Sequence, residues 1–80
     1  MSRQIEVRYR VEGSAESHSL TLYGDSTMGS FKAYATAVHG IDPDQYKVTI
    51  HHAQSGARLR SHVVFENPVY DLVVKKTPRL

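Results

Sequence analysis

From Ile5 to Val11 the chain alternates without a break, with Ile5, Val7, Tyr9 and Val11 on one side and Glu6, Arg8 and Arg10 on the other. A period of two predicts a half-buried strand. His18 to Tyr23 alternates again with Leu20 and Leu22 inward, after a small, polar stretch from Glu12 to Ser17 that suits a hairpin loop. Tyr46 to His51 predicts a third strand with Val48 and Ile50 on one side, and Tyr70 to Lys75 a last one with Tyr70, Leu72 and Val74 inward. Leu59, Val63, Val64 and Phe65 form a less regular apolar stretch, read as a short edge strand and ended by Asn67-Pro68. One segment departs from this period. Met28, Phe31, Ala35 and Val38 recur at spacings of three, four and three, which lines them on one helical face. Thr27 or Ser26 precedes the stripe as a cap, Gly40 follows as a left-handed terminator, and Pro43 bars any continuation. Gly29 weakens the first turn by about 1 kcal/mol relative to Ala. Gly24-Asp25 turns the chain into the helix, and Gln54 to Ala57 is a turn.

Composition adds limits rather than a function. Eighty residues make one domain with one core. The chain has no cysteine, so neither a disulfide nor a thiolate metal site holds it together. No segment is long and apolar enough to cross a bilayer, and Met-Ser-Arg-Gln lacks the apolar run of a signal peptide. The formal charge of +2 is an ordinary surface value and only a faint pointer to nucleic acid.

The order strand, strand, helix, strand, short strand, strand buries every apolar face if the helix crosses one side of a single sheet. The first and last strands then lie side by side at its centre. This α+β arrangement is the β-grasp: a mixed sheet of four to five strands on one helix, in ββαββ order. Gly40-Ile41-Asp42-Pro43-Asp44-Gln45 resembles the Gly-Ile-Pro-Pro-Asp-Gln that follows the helix of ubiquitin. The helix itself matches at Thr27, Met28, Phe31, Lys32 and Ala33. A closer likeness runs through nearly the whole chain. Val7-Arg8-Tyr9-Arg10-Val11 resembles the Val-His-Tyr-Lys-Phe opening of the DWNN domain, the ubiquitin-like domain that begins proteins of the retinoblastoma-binding protein six family. Leu20-Thr21-Leu22-Tyr23-Gly24 is similar to that family's Val-Thr-Phe-Asp-Gly, and Ser30-Phe31-Lys32 sits where it has Asp-Leu-Lys. Val48 to Ser55 resembles a strand ending Gln-Ile-Thr-Asn-Ala-Gln-Thr. Val64 to Pro78 resembles a segment that closes on Val-Ile-Val-Arg-Arg-Ile-Pro. Two departures stand out. Pro68 falls one or two positions late, and the family's acidic run is replaced by Gly56 to His62, so a partner surface built on that run does not transfer.

Candidate chemistry is sparse. The sequence carries no phosphate-cradling glycine loop, no cysteine nucleophile and no ordered Ser/His/Asp set. His51, His52 and His62 suggest a metal site, but neighbours on a strand point to opposite faces, so no metal and no cofactor is expected. Arg8, Arg10, Lys47, Arg58, Arg60, Lys75 and Lys76 are expected on the outer sheet face. Three readings of that face stay open: a solvated surface, a docking surface for an acidic protein patch, and an RNA platform. The third would need outward stacking aromatics, but Tyr9 and Tyr70 should point inward, which leaves only Tyr23, Tyr34 and Tyr46 to be exposed.

In ubiquitin the recognition patch is an Ile on the third strand flanked by Leu and Val. The likeness at Gly40-Ile41 places Thr49 at that Ile, so the patch is lost here. The candidate partner-binding set is Arg8, Lys47, Thr49, Val73 and Lys75, with Val73 as an outward apolar residue. The tail Thr77-Pro78-Arg79-Leu80 is not the Gly-Gly that an activating enzyme threads. Residues 1–77 are therefore read as the domain and 78–80 as the start of a linker. The DWNN resemblance implies a non-catalytic, monomeric interaction module of a nuclear pre-mRNA cleavage and polyadenylation factor. That factor would carry a zinc knuckle and a RING-type ubiquitin ligase downstream and dock on the endonuclease subunit of the machinery. A modifier processed from a longer precursor and a small basic RNA-binding domain are the alternatives.

Overall fold

The computed structural model describes residues 3–80; Met1 and Ser2, with which the expected domain begins, lie outside the described residues. The elements are β1 (Gln4–Val11), β2 (His18–Tyr23), α1 (Met28–Val38), β3 (Tyr46–His52), β4 (Arg58–Leu59) and β5 (Val69–Pro78). They form one sheet in the order β2-β1-β5-β3-β4. β1 and β5 run parallel at the centre, and the remaining pairs are antiparallel. This is the mixed sheet and single helix that the alternation predicts.

The alternating positions do what their period requires. Ile5, Val7 and Tyr9 of β1, Val48 and Ile50 of β3, and Tyr70, Leu72 and Val74 of β5 are buried beneath Met28, Phe31 and Ala35. Four aromatic rings run through this core in edge-to-face contact. Phe31 meets Tyr9 at 5.1 Å and Phe65 at 6.3 Å, and Phe65 meets Tyr70 at 4.8 Å between centroids. The Tyr70 hydroxyl then accepts the backbone N–H groups of Glu66 and Asn67 at 2.9 and 3.1 Å, which holds the turn before Pro68.

Both helix ends are closed. Thr27 Oγ1 accepts the Ser30 N–H while Ser30 Oγ accepts the Thr27 N–H, each at 3.2 Å, a reciprocal capping box. Met28 and Gly29 donate their N–H groups to the Val63 and Ser61 carbonyls at 2.8 and 2.9 Å. The expected short edge strand over Leu59 to Phe65 is thus confined to its start, and the segment after β4 is a lid on the helix N-terminus. β4 itself is only two residues, because Leu59 alone pairs inward and the chain must then leave the sheet to reach the helix. Gly29 is part of that closure: a Cβ there would stand 3.1 Å from the Ser61 carbonyl oxygen and 3.2 Å from its Cβ. At the other end Gly40 has φ +63°, and the Gly40 and Ile41 N–H groups reach the Ala37 and Thr36 carbonyls.

The apolar stripe of α1 needs one correction. Val38 is 56% exposed, so it does not face the sheet. The stripe continues from Ala35 to His39, four residues on and nearly in line with it, and Ile41 supplies the buried apolar residue beyond the cap. At the C-terminal end, β5 pairs Pro78 with Tyr46, and the Arg79 N–H donates to the Gln45 carbonyl at 2.8 Å.

Candidate functional site

The helix covers one side of the sheet and leaves the other open, so that outer side is the candidate surface. Its residues follow from the registers. Arg8 pairs with Asp71, Arg10 with Val73, and Val73 in turn with His51, which pairs with Arg58. Thr49 pairs with Lys75, and Lys47 with Thr77. The five sequence candidates therefore share the face but do not meet at a point. The Arg8 row and the Lys47 row are six β5 residues apart, which is roughly 20 Å along the strand.

Charge on this face is partly neutralised. Arg8 Nε lies 3.3 Å from Glu6 Oε1, and Lys75 Nζ lies 3.9 Å from Glu12 Oε2. Both pairs are solvent-exposed and individually weak, but each takes up a cation that the sequence offered as a partner contact. Among the described residues no carboxylate lies within ion-pair distance of Arg10, Lys47 or Arg58. Asp71, outward beside Arg8, also has no ion-pair partner among them, so the positive excess is greatest toward Lys47 and Arg58. The first ion pair was legible, because positions two apart on a strand share a face. The second needed the parallel β1–β5 register.

Two further corrections concern the outer face. Val73 points outward but is only 5% exposed, and it belongs to no part of the inner core cluster. Arg10 and His51 flank it on the neighbouring strands, so long side chains close over it. It is a packed centre and not a free apolar anchor. Lys76 leaves the face altogether: it pairs with Val48 on the inner side, and its ammonium lies 5.2 Å from the Tyr46 ring centre.

The histidines have separate partners. His51 Nδ1 donates to the Gly56 carbonyl at 3.0 Å, which leaves Nε2 to accept the Thr49 hydroxyl at 2.9 Å. His52 lies on the other face and stacks on Tyr70. Among the described residues no three His, Asp or Glu side chains gather as metal ligands. A separate aromatic cluster, which the sequence reading did not anticipate, joins Tyr9, His18 and His39. The Tyr9 hydroxyl lies 2.8 Å from His39 Nε2, and the two imidazoles are 4.7 Å apart. Burial, helped by the neighbouring Tyr34, pushes the Tyr9 phenol above its ordinary pKa. The spacing of His39 from Phe31 and Ala35 was the available signal. A shallow depression of about 520 Å³ beside the Arg8–Asp71 row sets Arg8 and Arg10 against Glu6 and Asp71, so its charge is balanced.

Comparison with solved structures agrees with this topology. The chain superposes along its full length on 79% of the N-terminal ubiquitin-like domain in the 4931431F19Rik protein, solved in solution, with a TM-score of 0.63 and 17% identity. It also matches a protein designed on the basis of ubiquitin, with a TM-score of 0.60, 17% identity, and coverage of 95% of this chain and 89% of that one. The fold is the ubiquitin-like β-grasp. No protein-family model matches the sequence, and no curated protein matches it.

Proposed function

We propose that this chain is a non-catalytic ubiquitin-like docking module of the DWNN type, which meets its partner through the outer face of the sheet. The observation that carries the reading is the row Arg10–Val73–His51–Arg58, with Lys47 beyond it. It is a packed surface on which Arg10, Arg58 and Lys47 have no ion-pair partner among the described residues, with Asp71 as the unpaired carboxylate at its Arg8 end. Such a face suits a protein surface rich in carboxylates better than a small-molecule substrate. It also suits RNA poorly, since Tyr9 and Tyr70 are both turned into the core and leave the central strands no outward aromatic platform. The ubiquitin-like fold and the motifs from Val7 to Pro78 support assignment to a nuclear pre-mRNA cleavage and polyadenylation factor that also carries RING-type ligase function. The proposed partner is the endonuclease subunit of that machinery.

The test is a kinetic binding titration with that purified subunit. Arg10→Glu and Lys47→Glu should each slow association, and slow it less as salt rises, while the helix-surface variant Lys32→Glu binds like the parent. Loss of binding in Lys32→Glu alone would assign the interaction to the helix. RNA binding that outlasts Arg10→Glu would remove the docking reading.

A further inference from the structure

The sheet has two edges, and they are treated differently. β4 is two residues long and carries Arg58, with Arg60 just beyond it. Short length and flanking charge are the usual means by which an edge is kept from pairing with another chain. β2 is the opposite edge; it is three times as long, and the nearest Asp or Glu side chains, Glu16 and Asp25, lie two residues outside it. His18-Ser19-Leu20-Thr21-Leu22-Tyr23 spans six residues without a Lys, Arg, Asp, Glu, Pro or Gly, and it pairs with β1 alone. Every other strand of the sheet contains at least one Lys or Arg.

The inner side of β2 is incomplete as well. Ile5, Val7 and Tyr9 of neighbouring β1 are buried, whereas Leu20 and Leu22 pack against the core but are only partly buried. We propose that β2 pairs antiparallel with the β2 of a second copy of this chain, about a two-fold axis through Thr21. The sequence of the strand is what points to a second copy. An axis at Thr21 sets Thr21 against Thr21, Leu20 against Leu22, and Ser19 against Tyr23. All four leucines then meet on the inner side and cover each other, and the threonines meet on the outer side. Moving the axis to Leu20 would oppose His18 with Leu22, and an odd shift would turn the leucines against the polar face. The strand carries no Lys, Arg, Asp or Glu, so no fixed like charges oppose each other across the pairing. The pairing would join two five-stranded sheets into one, and the two-fold makes the contact the same patch on both copies. The proposal stands apart from the docking reading, because the outer face remains open on both copies.

The chain has no cysteine, which makes the test direct. Cα atoms directly opposed across an antiparallel pair are about 4.5–5.5 Å apart, within disulfide range. Under mild oxidation Thr21→Cys should cross-link rapidly into a covalent dimer, and Ser19→Cys, which faces Tyr23, should not. In sedimentation equilibrium the parent should move from 9.0 kDa toward twice that mass as concentration rises. Thr21→Lys, which opposes two ammonium groups at an exposed position, should stay at one chain with unchanged circular dichroism. Three results would each overturn the proposal. They are a parent that stays monomeric up to millimolar concentration, equal cross-linking of the two cysteine variants, and a dimer that survives Thr21→Lys. Capture of an unrelated extended peptide by a monomeric chain would give the edge a different occupant and also reject it.

Discussion

Removing the Phe31 ring should be the most damaging single truncation on the helix. The side chain is fully buried, and it is the link between Tyr9 at 5.1 Å and Phe65 at 6.3 Å. Phe31→Ala loses the transfer energy of the ring and leaves a cavity beneath a helix held at both ends by its caps, so the site cannot readily collapse. The expected cost is roughly 3–5 kcal/mol, with each lost edge-to-face contact supplying about 0.5–1.5 kcal/mol of it. A domain of this length has only about 4–12 kcal/mol in all. At roughly 4–8 °C per kcal/mol, the melting temperature should fall by about 12–40 °C. Phe31→Leu keeps most of the volume and should lose less than half as much. The assay is thermal unfolding followed by far-UV circular dichroism, with urea unfolding to check that the slope is unchanged. A Phe31→Ala melt within a few degrees of the parent would refute the helix register and the core built on it.

Other outcomes follow from specific contacts. Tyr70→Phe removes the acceptor of the Glu66 and Asn67 N–H groups; stability should fall by about 0.5–1.5 kcal/mol, and hydrogen exchange should quicken at those two amides first. Val73→Glu places a carboxylate at a position only 5% exposed, so it should lower stability by at least ~2 kcal/mol in urea unfolding, whereas an outward anchor would tolerate it. Tyr9 holds its proton more tightly folded than unfolded, so its contribution is complete below the ordinary value of 10.0 and is lost as pH rises through the higher folded value. Thermal melts from about pH 9 upward should therefore steepen in the parent and flatten in Tyr9→Phe; equal slopes would remove Tyr9 as the cause.

The elements were legible where local chemistry decides them. Alternation marked β1, β2, β3 and β5, and Thr27 and Gly40 bounded the helix as capping physics requires. What the sequence concealed depends on residues far apart in the chain. Gly29 reads as a flaw in a helix until Ser61 is found against it. Val73 reads as exposed until the β1 and β3 registers bring Arg10 and His51 to its sides. Lys76 reads as one more surface cation, although strict alternation from Lys75 already turned it toward Tyr46. The site was legible as a face and not as a charge distribution. The Lys75–Glu12 pair depends on how β1 lies beside β5, and no periodicity within either strand states it.

Whether the partner docks on the outer sheet face can be read by mapping contact on the isotope-labelled chain. Amide shifts would be followed as unlabelled endonuclease subunit is added. Perturbations should cluster on residues 8–11 of β1, 47–51 of β3 and 71–77 of β5, centred on the Arg10–Val73–His51 row, with helix residues 30–38 unmoved. A cluster on the helix or along β2, with the Arg10–Val73–His51 row silent, would contradict docking on that face.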